Sequence, residues 1–321
     1  DRDVKLSIPP VATATNAQTI SDHSAQTLSA DSANLGARNV TQKVDATDQK
    51  FDRVVQLGNG NDDVAILDNK AVKIVGSGGN DKITLGSGAD FVTGADGQDT
   101  LILGGGRDTA IVGWGVDNVD GGASWDTAVF TRAGTDTANP LGTGATIPGQ
   151  SGVGDWSVSK NGNKLVITST TGAQNGAELQ NVDFVQFGDV GLQKQFSVVA
   201  VNNESDANVA RLYQSVLNRS ADESGVQYWL GQSKNGMSLE AITTAFLNSP
   251  ESTLVVAQNN AAFITQIYQN TFGRAPEAGG FAYWMNALEN GMPRSVFVDA
   301  VTTSTEAKTT VANVQVFTDW V

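Results

Sequence analysis

The sequence predicts a multidomain β plus α protein, in which a parallel β-roll solenoid with a β cap is followed by an all-α domain built from a tandem repeat. Three observations lead to this fold class. Aspartate recurs every nine residues from Asp81 to Asp126, apolar and polar residues alternate in the segment that follows, and a helical pattern beyond residue 200 occurs twice. The corresponding domains are a polar lead-in, the roll, its cap and the helical domain, at residues 1–50, 51–130, 131–200 and 201–321.

The composition restricts the partners and the chemistry of the chain. A formal net charge of -14 argues against nucleic acid as a partner and favours cation binding. Cysteine is absent, which excludes disulfides and thiol chemistry. No apolar run approaches the roughly 20 residues that a membrane-spanning helix needs. The lead-in is rich in Ala, Ser, Thr and Asn with weak periodicity, so we expect either a flexible segment or strands that need a neighbour.

The nine-residue unit is defined by the residues around each aspartate. The residue two positions later is apolar in all six units, the residue two positions earlier is glycine in five of six, and the residue four positions earlier is always small. Glycine permits positive φ and close backbone approach, so about six residues of each unit should form a tight loop. The other three should form a short strand with its apolar side chain inward, and successive units must stack to bury it. The six aspartates are Asp81, Asp90, Asp99, Asp108, Asp117 and Asp126.

Stacking would bring these aspartates into two rows. If two units form one coil, residues two units apart in the chain lie about 4.8 Å from each other, and alternate aspartates line opposite edges. Two carboxylates about 5 Å apart repel by roughly 3 kcal/mol, a cost that a divalent cation between the loops removes. Ca²⁺ accepts the roughly six to eight oxygens that two aspartates and turn carbonyls supply, whereas Mg²⁺ needs stricter geometry and Zn²⁺ prefers nitrogen or sulfur. The sequence therefore predicts about four or five bound Ca²⁺ ions.

A further unit is predicted upstream, in the stretch LGNGNDDVA at residues 57–65. Asp62 fits the local motif, but it is Asp63 that lies two whole units before Asp81. A bulge of one residue in the degenerate stretch 66–75 would reconcile the two, and both aspartates stay candidate ligands. The loop glycines assigned to the metal sites are Gly76, Gly78, Gly79, Gly86, Gly88, Gly94, Gly97, Gly104 and Gly106.

These units resemble the RTX, or haemolysin-type, calcium-binding repeat, whose nonapeptide is Gly-Gly-x-Gly-x-Asp-x-apolar-x. Three units match it well, while Leu85 and Leu103 replace the first glycine in two others and Trp114 lies inside the fifth loop. The resemblance implies a right-handed parallel β-roll that binds calcium. RTX proteins leave the cell by type I secretion on an uncleaved C-terminal signal. The tail VQVFTDWV resembles such a signal, with an ordinary helix end as the alternative.

The beginning of the chain bears on export in the same way. Its first residues lack the basic and then apolar layout of a cleaved signal peptide. We therefore expect either that such a signal has been removed or that export uses another route.

The segment after the repeats reads as β-structure that closes the solenoid. The stretch WSVSKNGNKLVIT alternates apolar residues around Asn161 and Gly162, which indicates a hairpin. Val182, Phe184 and Phe187 then alternate with polar residues. Similar segments follow the repeats of RTX proteins as caps, and a cap is expected because an open solenoid end exposes an unpaired strand edge.

The helical domain contains an internal duplication. One helix face recurs at a fixed offset along the chain, and the same offset relates the pair Tyr228-Trp229 to the pair Tyr283-Trp284. Residues 205–310 resemble a helical domain of unknown function that often occurs in tandem in secreted bacterial RTX and surface-layer-type proteins. The face consists of Val209, Leu212, Tyr213, Val216 and Leu217, and its repeat of Ile264, Ile267, Tyr268, Thr271 and Phe272.

The repeated residues of this domain are given structural roles. Four aromatic residues are predicted to pack in the helical core rather than to form a ligand platform, namely Tyr228, Trp229, Tyr283 and Trp284. Arg219 and Arg274 should hold loops through Glu251 and Glu306, and Ser249 should cap a helix. The two copies should pack together with a groove between them.

The sequence predicts a secreted, calcium-binding structural or adhesive module of the cell surface, as in RTX adhesins or S-layer-type proteins, which folds on calcium outside the cell. The alternative is an accessory calcium-binding and targeting region of a secreted enzyme that degrades polysaccharide or protein. We expect no catalysis, since His23 is the only histidine and cysteine is absent. The helical pair should either bind a partner, through self-association or a cell-surface glycan or peptide, or act as a rigid spacer. Replacing Asp99 should cost more stability than replacing Asp126, because Asp99 would be shared by two sites.

Overall fold

A computed structural model describes residues 51–57, 60–76, 78–130, 156–169, 175–187, 196–252, 254 and 259–320, with short strands at 5–8, 27–29, 146–147 and 150–151. The chain divides into two compact units. The first unit contains residues 1–145, 153–193 and 319–321, and the second contains residues 146–152 and 194–318.

Strands make up the described part of the first unit and helices most of the second. In chain order the strands are β1 (Lys5–Ile8), β2 (Thr27–Ser29), β3 (Arg53–Gln56), β4 (Asp63–Ile66), β5 (Val72–Val75), β6 (Lys82–Leu85), β7 (Phe91–Thr93), β8 (Thr100–Ile102), β9 (Thr109–Val112), β10 (Val116–Asp120), β11 (Thr127–Phe130), β12 (Thr146–Ile147), β13 (Gln150–Ser151), β14 (Trp156–Asn161), β15 (Lys164–Ser169), β16 (Gly176–Gln180), β17 (Phe184–Phe187), β18 (Phe196–Val201) and β19 (Val314–Val316). The helices are α1 (Glu204–Leu217), α2 (Glu223–Lys234), α3 (Leu239–Leu247), α4 (Asn260–Phe272), α5 (Ala278–Glu289), α6 (Arg294–Thr302) and α7 (Thr305–Thr310).

The repeat region is the predicted parallel β-roll. Its strands alternate between two sheets, one with the order β10-β8-β6-β4 and the other with the order β11-β9-β7-β5-β3. Neighbouring strands are parallel with a register of two repeat units, as in the pairs Lys82 with Thr100 and Phe91 with Thr109. The apolar residue two positions after each repeat aspartate is buried, and Ile83, Val92 and Leu101 are fully inaccessible. The two-unit coil inferred from the sequence is therefore the repeating element of the fold.

The first coil contains one extra residue, at Leu67. Ile66 lies opposite Leu85, which is one residue more than two repeat units away. The Ser87 N–H donates to the Asp68 carbonyl at 2.9 Å, as the Gly105 N–H donates to the Gly86 carbonyl at 2.7 Å, so Asp68 occupies the position of Gly86 one coil earlier. Leu67 thus has no counterpart in the next coil, and its side chain is 40% exposed. This is the one-residue bulge that the sequence left open.

The cap adds a parallel strand to each of the two sheets of the roll. β16 lies beside β10, with Ala177 opposite Asp117, and β17 lies beside β11, with Phe184 opposite Thr127. β15 and β14 then pair in antiparallel fashion onto β16 and form the predicted hairpin. Its turn lies one residue later than expected, because Asn161 pairs with Lys164 and Gly162 takes the positive φ of 62°.

The lead-in contributes two short strands to the first sheet. β1 pairs in parallel with β4, and β2 pairs with β1. The lead-in was expected to be either flexible or made of strands that need a neighbour, and at β1 and β2 it forms such strands. The rest of the lead-in lies outside the described residues.

The first three residues of the tail that resembles a secretion signal, Val314–Val316, form a strand and not the end of a helix. β19 pairs in parallel with β18, and the Phe317 N–H donates to the Val201 carbonyl at 2.8 Å. In the first unit, the indole N–H of Trp320 donates to the Asn163 carbonyl at 2.6 Å.

The helices of the second unit reproduce the duplication seen in the sequence. α2 and α5, and likewise α3 and α6, have equal lengths and begin at corresponding residues of the two copies. α1 packs against α4 and α3 packs against α6. Between α3 and α6, the Thr243 hydroxyl donates to Asp299 Oδ1 at 2.5 Å, and between α1 and α4, the Gln214 amide donates to the Asn270 carbonyl at 2.8 Å. The two copies therefore form one helical core.

The expected burial of the repeated tyrosines is wrong. Tyr228 is 57% exposed and Tyr283 is 61% exposed. Their neighbours Trp229 and Trp284 pack instead against buried phenylalanine rings, at 5.2 and 5.0 Å between centroids. A helix turns by about 100° per residue, so when Trp229 or Trp284 points at the core, the tyrosine before it points away from that direction. The tyrosines occupy the outer position in both copies.

The repeated arginines hold loops as expected. Arg219 contacts Glu251 at 2.6 Å, and Arg274 contacts Glu306 at 2.7 Å. Ser249 was expected to cap a helix, but the residues that follow it form only a turn. Its counterpart Ser304 does cap α7, accepting from the Ala307 N–H at 3.1 Å.

A small cavity of about 210 Å³ lies where a groove between the copies was expected. The first copy contributes the end of α3, and the second contributes Phe263 and the start of α6. Arg294 lies over the Phe263 ring, 4.4 Å from its centroid, and donates to Asn260 Oδ1 at 3.1 Å. The cavity is smaller than the roughly 300 Å³ at which drug-sized ligand pockets begin.

Candidate metal centre

The repeat aspartates form two ladders along the edges of the roll. In each ladder the backbone N–H of one aspartate donates to Oδ1 of the aspartate in the next coil, as Asp81 does to Asp99 and Asp99 to Asp117, both at 2.8 Å. On the other edge Asp90 donates to Asp108 at 2.7 Å, and Asp108 donates to Asp126 at 2.9 Å. One oxygen of each of these accepting carboxylates thus forms a hydrogen bond that links two coils.

The second carboxylate oxygen is buried without a hydrogen bond. This holds for Oδ2 of Asp81, Asp99, Asp108, Asp117 and Asp126, whose residues are at most 2% exposed. In Asp99 this oxygen faces its own loop, since a Cβ added at Gly94 would lie 2.7 Å from it. A buried carboxylate oxygen that lacks a donor costs several kcal/mol unless a proton or a cation satisfies it.

Burial changes the acidity of all five of these carboxyl groups. Desolvation raises the pKa of Asp81, Asp108 and Asp117 from 3.8 to about 7, although the backbone N–H bonds oppose it. The same cause raises the pKa of Asp99 to about 6 and that of Asp126 to about 8. Neighbouring aspartates add to the shift, as Asp99 does for Asp81. Without a cation, these groups hold protons that ordinary aspartates would have lost.

Glycine is required where the loops of successive coils touch. Gly97 has a φ of 146°, and a Cβ there would collide with the carbonyl oxygen of Gly79. Gly115 has a φ of 122°, and a Cβ there would collide with the carbonyl oxygen of Gly97. The loops therefore pack directly on one another with backbone carbonyl oxygens at the contact, and such oxygens are among the ligands that Ca²⁺ accepts.

The other loop glycines assigned to the metal sites lie in the same stacked loops. Gly79, Gly104 and Gly106 have positive φ. Gly78 forms a parallel bridge with Asp96. An added Cβ would meet neighbouring backbone at Gly76, Gly86 and Gly88.

The structure resolves the choice between the two upstream aspartates. The Asp62 N–H donates to Asp81 Oδ1 at 2.9 Å, and Asp62 is 2% exposed. Asp63 lies in β4 opposite Lys82 and is half-buried. Asp62 therefore belongs to the ladder and Asp63 does not, because Leu67 supplies the extra residue that brings Asp62 into register with Asp81.

One ladder residue was missed by the sequence reasoning. The Asp126 N–H donates to Asp183 Oδ2 at 2.9 Å, so a cap residue takes the next position after Asp126. The signal that could have found it is an aspartate two residues before the apolar Val185, at the start of a strand. The intervening segment hides it, because no multiple of nine residues separates Asp183 from the repeat aspartates.

The donor set fits a hard divalent cation. Among the described residues, no group of three or more His, Cys, Asp or Glu side chains could hold a metal ion. The oxygens that the stacked loops offer are those of aspartate carboxylates and of the backbone, a donor type that suits Ca²⁺ and does not suit Zn²⁺.

Two family models match the chain. The RTX calcium-binding nonapeptide repeat matches residues 57–92, 73–101 and 93–127. A domain of unknown function, DUF4214, matches residues 194–255 and 254–311. Comparison with curated proteins and with solved structures gives no significant match.

Proposed function

We propose, on the premise that residues 57–127 are RTX calcium-binding repeats, that this chain is a secreted structural module of the cell surface that folds on calcium outside the cell. The observation that supports it best is the set of buried aspartate Oδ2 atoms without hydrogen-bond partners along both edges of the roll. At low calcium these carboxylates oppose folding, and at the millimolar calcium outside a cell the ions offset that cost.

Removal of calcium tests the proposal directly. We expect a chelator to abolish most of the β signal in far-ultraviolet circular dichroism and added Ca²⁺ to restore it, with Mg²⁺ much less effective. A sodium chloride titration at equal ionic strength controls for screening of the charge. A β signal and melting temperature that do not respond to the chelator would contradict calcium-dependent folding.

Secretion is supported by the repeat type and by the energetics of the aspartates. RTX repeats are typical of secreted proteins. Within the described residues, no helix combines the length and apolar character needed to cross a bilayer. Because the roll would stay unfolded at cytoplasmic calcium, the chain would cross an export channel before it folds. Recovery of the chain in the medium, or on the cell surface, is the expected outcome.

We further propose that the helical unit attaches the roll to a partner rather than serving as a plain spacer. The support is the outward position of Tyr228 and Tyr283 in both copies, since exposed large aromatic residues are enriched at binding surfaces. The partner class is a cell-surface glycan or peptide, or a second copy of the chain.

The double variant Tyr228→Ala with Tyr283→Ala tests this attachment. We expect it to reduce binding to cell envelopes, or self-association in sedimentation, at least tenfold without changing the melting temperature. Trp114→Ala is the matched control, because Trp114 is a 39% exposed aromatic residue on the roll. Equal binding by wild type and the double variant would leave the spacer function in place.

A role without catalysis is part of the same proposal. The aspartates with the most altered acidity already have a structural task in the ladders, and the sequence has no cysteine and one histidine. Hydrolysis of polysaccharide or protein by the purified chain, lost on replacing one acidic residue outside the ladders, would contradict it.

A further inference from the structure

We propose that the cap completes an additional calcium site on the second edge of the roll, where the loop that ends at Asp126 meets Asp183. This site rests on calcium binding by the repeats and extends it to a cap residue far downstream, outside the matched repeats. Its ligands are the carboxylates of Asp126 and Asp183 and the carbonyl oxygen of Asn181.

The register places Asp183 in the ladder. Thr127 lies opposite Phe184 in the parallel pair of β11 and β17, so the preceding residues, Asp126 and Asp183, are stacked. The Asp126 N–H donates to the Asp183 carboxylate at 2.9 Å, the same bond that links Asp108 to Asp126 one coil earlier. Asp183 is therefore stacked on Asp126 and bonded to it in the same way as each repeat aspartate is to the aspartate of the preceding coil.

An unsatisfied oxygen of Asp126 points at this junction. Asp126 is fully buried, and its Oδ2 has no hydrogen-bond partner. A Cβ added at Gly121 would lie 2.8 Å from that oxygen, as a Cβ at Gly94 would lie 2.7 Å from Asp99 Oδ2 within the repeats. The carboxylate of Asp126 thus has the orientation of the other ladder aspartates, although the next loop belongs to the cap.

The cap supplies a carbonyl oxygen at the same place. The Cβ position of Gly121 that lies near Asp126 Oδ2 would also collide with the carbonyl oxygen of Asn181. The Asp126 Oδ2 atom and the Asn181 carbonyl oxygen thus lie close to the same point. Two ligands that each lie about 2.4 Å from one Ca²⁺ can be up to about 5 Å apart, so both oxygens can bind a single ion. The Asn181 side chain donates to Asp120 Oδ1 at 2.8 Å, which fixes Asn181 and adds a negative charge next to the site.

The first edge of the roll lacks this arrangement. Asp117 is the last aspartate there, and the cap residue opposite it is Ala177. Two residues earlier, the Gly115 N–H donates to Asn175 Oδ1 at 3.0 Å. At this edge the side chain that the cap supplies to the loop is therefore a neutral amide, whereas at the other edge it is the carboxylate of Asp183. Within the described part of the cap, the row of stacked carboxylates extends beyond the repeats on the second edge only. The first edge therefore serves as an internal comparison for the proposed site.

Counting bound calcium tests the site. The full-length variant Asp183→Asn keeps an oxygen that can accept the Asp126 N–H but loses the charge. We expect it to bind one Ca²⁺ fewer than wild type by equilibrium dialysis or calorimetry. In a Trp114→Phe background, Tb³⁺ luminescence sensitised by Trp125, which precedes Asp126, should fall as well. Asp63→Asn is the matched control, because Asp63 lies beside the ladder and not in it, and it should bind as wild type does.

The outcomes separate this site from calcium binding in general. An unchanged ion number and affinity in Asp183→Asn, with a wild type that binds calcium, would overturn the proposal. Absence of calcium binding in wild type would instead contradict the proposed function. If Asp183→Asn does not give the wild-type circular dichroism spectrum, Asp120→Asn replaces it, since the amide oxygen still accepts from Asn181. We then expect several-fold weaker binding at one site with the ion count unchanged, and equal affinities would overturn the proposal.

Discussion

The two carboxylate oxygens of the repeat aspartates have different roles. Oδ1 accepts a backbone N–H from the neighbouring coil and holds the strands in register, as in the pair Asp81 and Asp99 at 2.8 Å. Oδ2 is buried without a hydrogen-bond donor in Asp81, Asp99, Asp108, Asp117 and Asp126. The carboxylate therefore stabilises the stacked fold through one atom and opposes it through the other, unless a proton or a cation binds there.

The raised pKa values of the buried aspartates predict how stability depends on pH without calcium. The folded-state pKa of Asp81, Asp108 and Asp117 is about 7, against an ordinary value of 3.8. Because folding takes up protons between these values, the calcium-free roll should lose stability as pH rises from 3.8 to about 7. Urea denaturation in a chelator should show a higher midpoint at pH 5 than at pH 8. With excess Ca²⁺ the order should reverse, since calcium binds the deprotonated groups.

Replacing one ladder carboxylate by its amide should have opposite effects with and without calcium. Asp99→Asn keeps the acceptor for the Asp81 N–H but removes the charge. In Ca²⁺ it should cost roughly 3 kcal/mol for each site emptied at 100-fold saturation. In a chelator at pH 8 it should raise the melting temperature, because a buried charge disappears. A variant that is less stable in both conditions would show that the carboxylate serves the fold alone.

The order of costs along the ladders differs from the sequence expectation. Asp126 was expected to matter less than Asp99 because it ends the repeats, but Asp183 gives it a stacked neighbour on both sides. Asp117 faces Ala177 and has a carboxylate on one side only. In Ca²⁺ we expect Asp126→Asn to lower the melting temperature as much as Asp99→Asn, and Asp117→Asn about half as much. Equal losses in all three would contradict this order.

At the scale of the loop, the repeat needs glycine at some positions and tolerates side chains at others. Close stacking of the coils leaves no room for a Cβ where φ is positive, as at Gly97. Elsewhere an added Cβ would make only ordinary van der Waals contact, as at Gly105, which has a negative φ and whose nearest neighbour atom would lie 3.7 Å from that Cβ. Some residues of the nine-residue motif are therefore required by the backbone conformation of the loop and others by ion binding.

Alanine substitution distinguishes these two kinds of glycine. Gly97→Ala should cost about 2 to 4 kcal/mol, from the strained φ together with the collision with the Gly79 carbonyl. Gly105→Ala, the matched control in a neighbouring loop, should be neutral within about 0.5 kcal/mol. Both are measured by urea denaturation in saturating Ca²⁺. A loss of equal size in both would mean that any side chain disturbs these loops.

At the scale of the whole molecule, the two units have separate sources of stability. The roll buries charged groups that calcium satisfies, whereas the helical unit buries an apolar core of side chains such as Leu212, Phe246, Ile264 and Phe297. None of these core residues requires a metal ion. The units should therefore respond differently to the removal of calcium.

Thermal unfolding of the full chain should show this as two transitions. Calcium removal should lower the transition of the β signal by tens of degrees, on the basis of several ions at about 3 kcal/mol each. The helical transition, followed by the helix band of the circular dichroism spectrum, should move by only a few degrees. The fragment of residues 200–321 should be helical and indifferent to calcium. A single transition that shifts as a whole would show that the units unfold together.

The sequence by itself determined the parts of this protein that depend on regular spacing. A period of nine residues specifies a short strand and a tight loop, and it stacks Asp81, Asp99 and Asp117 without further information. The longer repeat of the helical segment likewise specified two copies of one helical unit. In both cases a constant number of residues along the sequence separates equivalent positions, so the residue pattern of one unit is enough to predict which residues of the next unit correspond to it.

Only the tertiary structure decided the contacts that no constant separation connects. It selected Asp62 over Asp63, because one exposed residue, Leu67, shifts the register of the first coil. It brought Asp183 onto the ladder across a segment whose length carries no register. It also turned Tyr228 outward, where composition favoured a core position. Strand pairing and packing against a particular neighbour fix such positions, and both become visible only once the chain has folded onto itself.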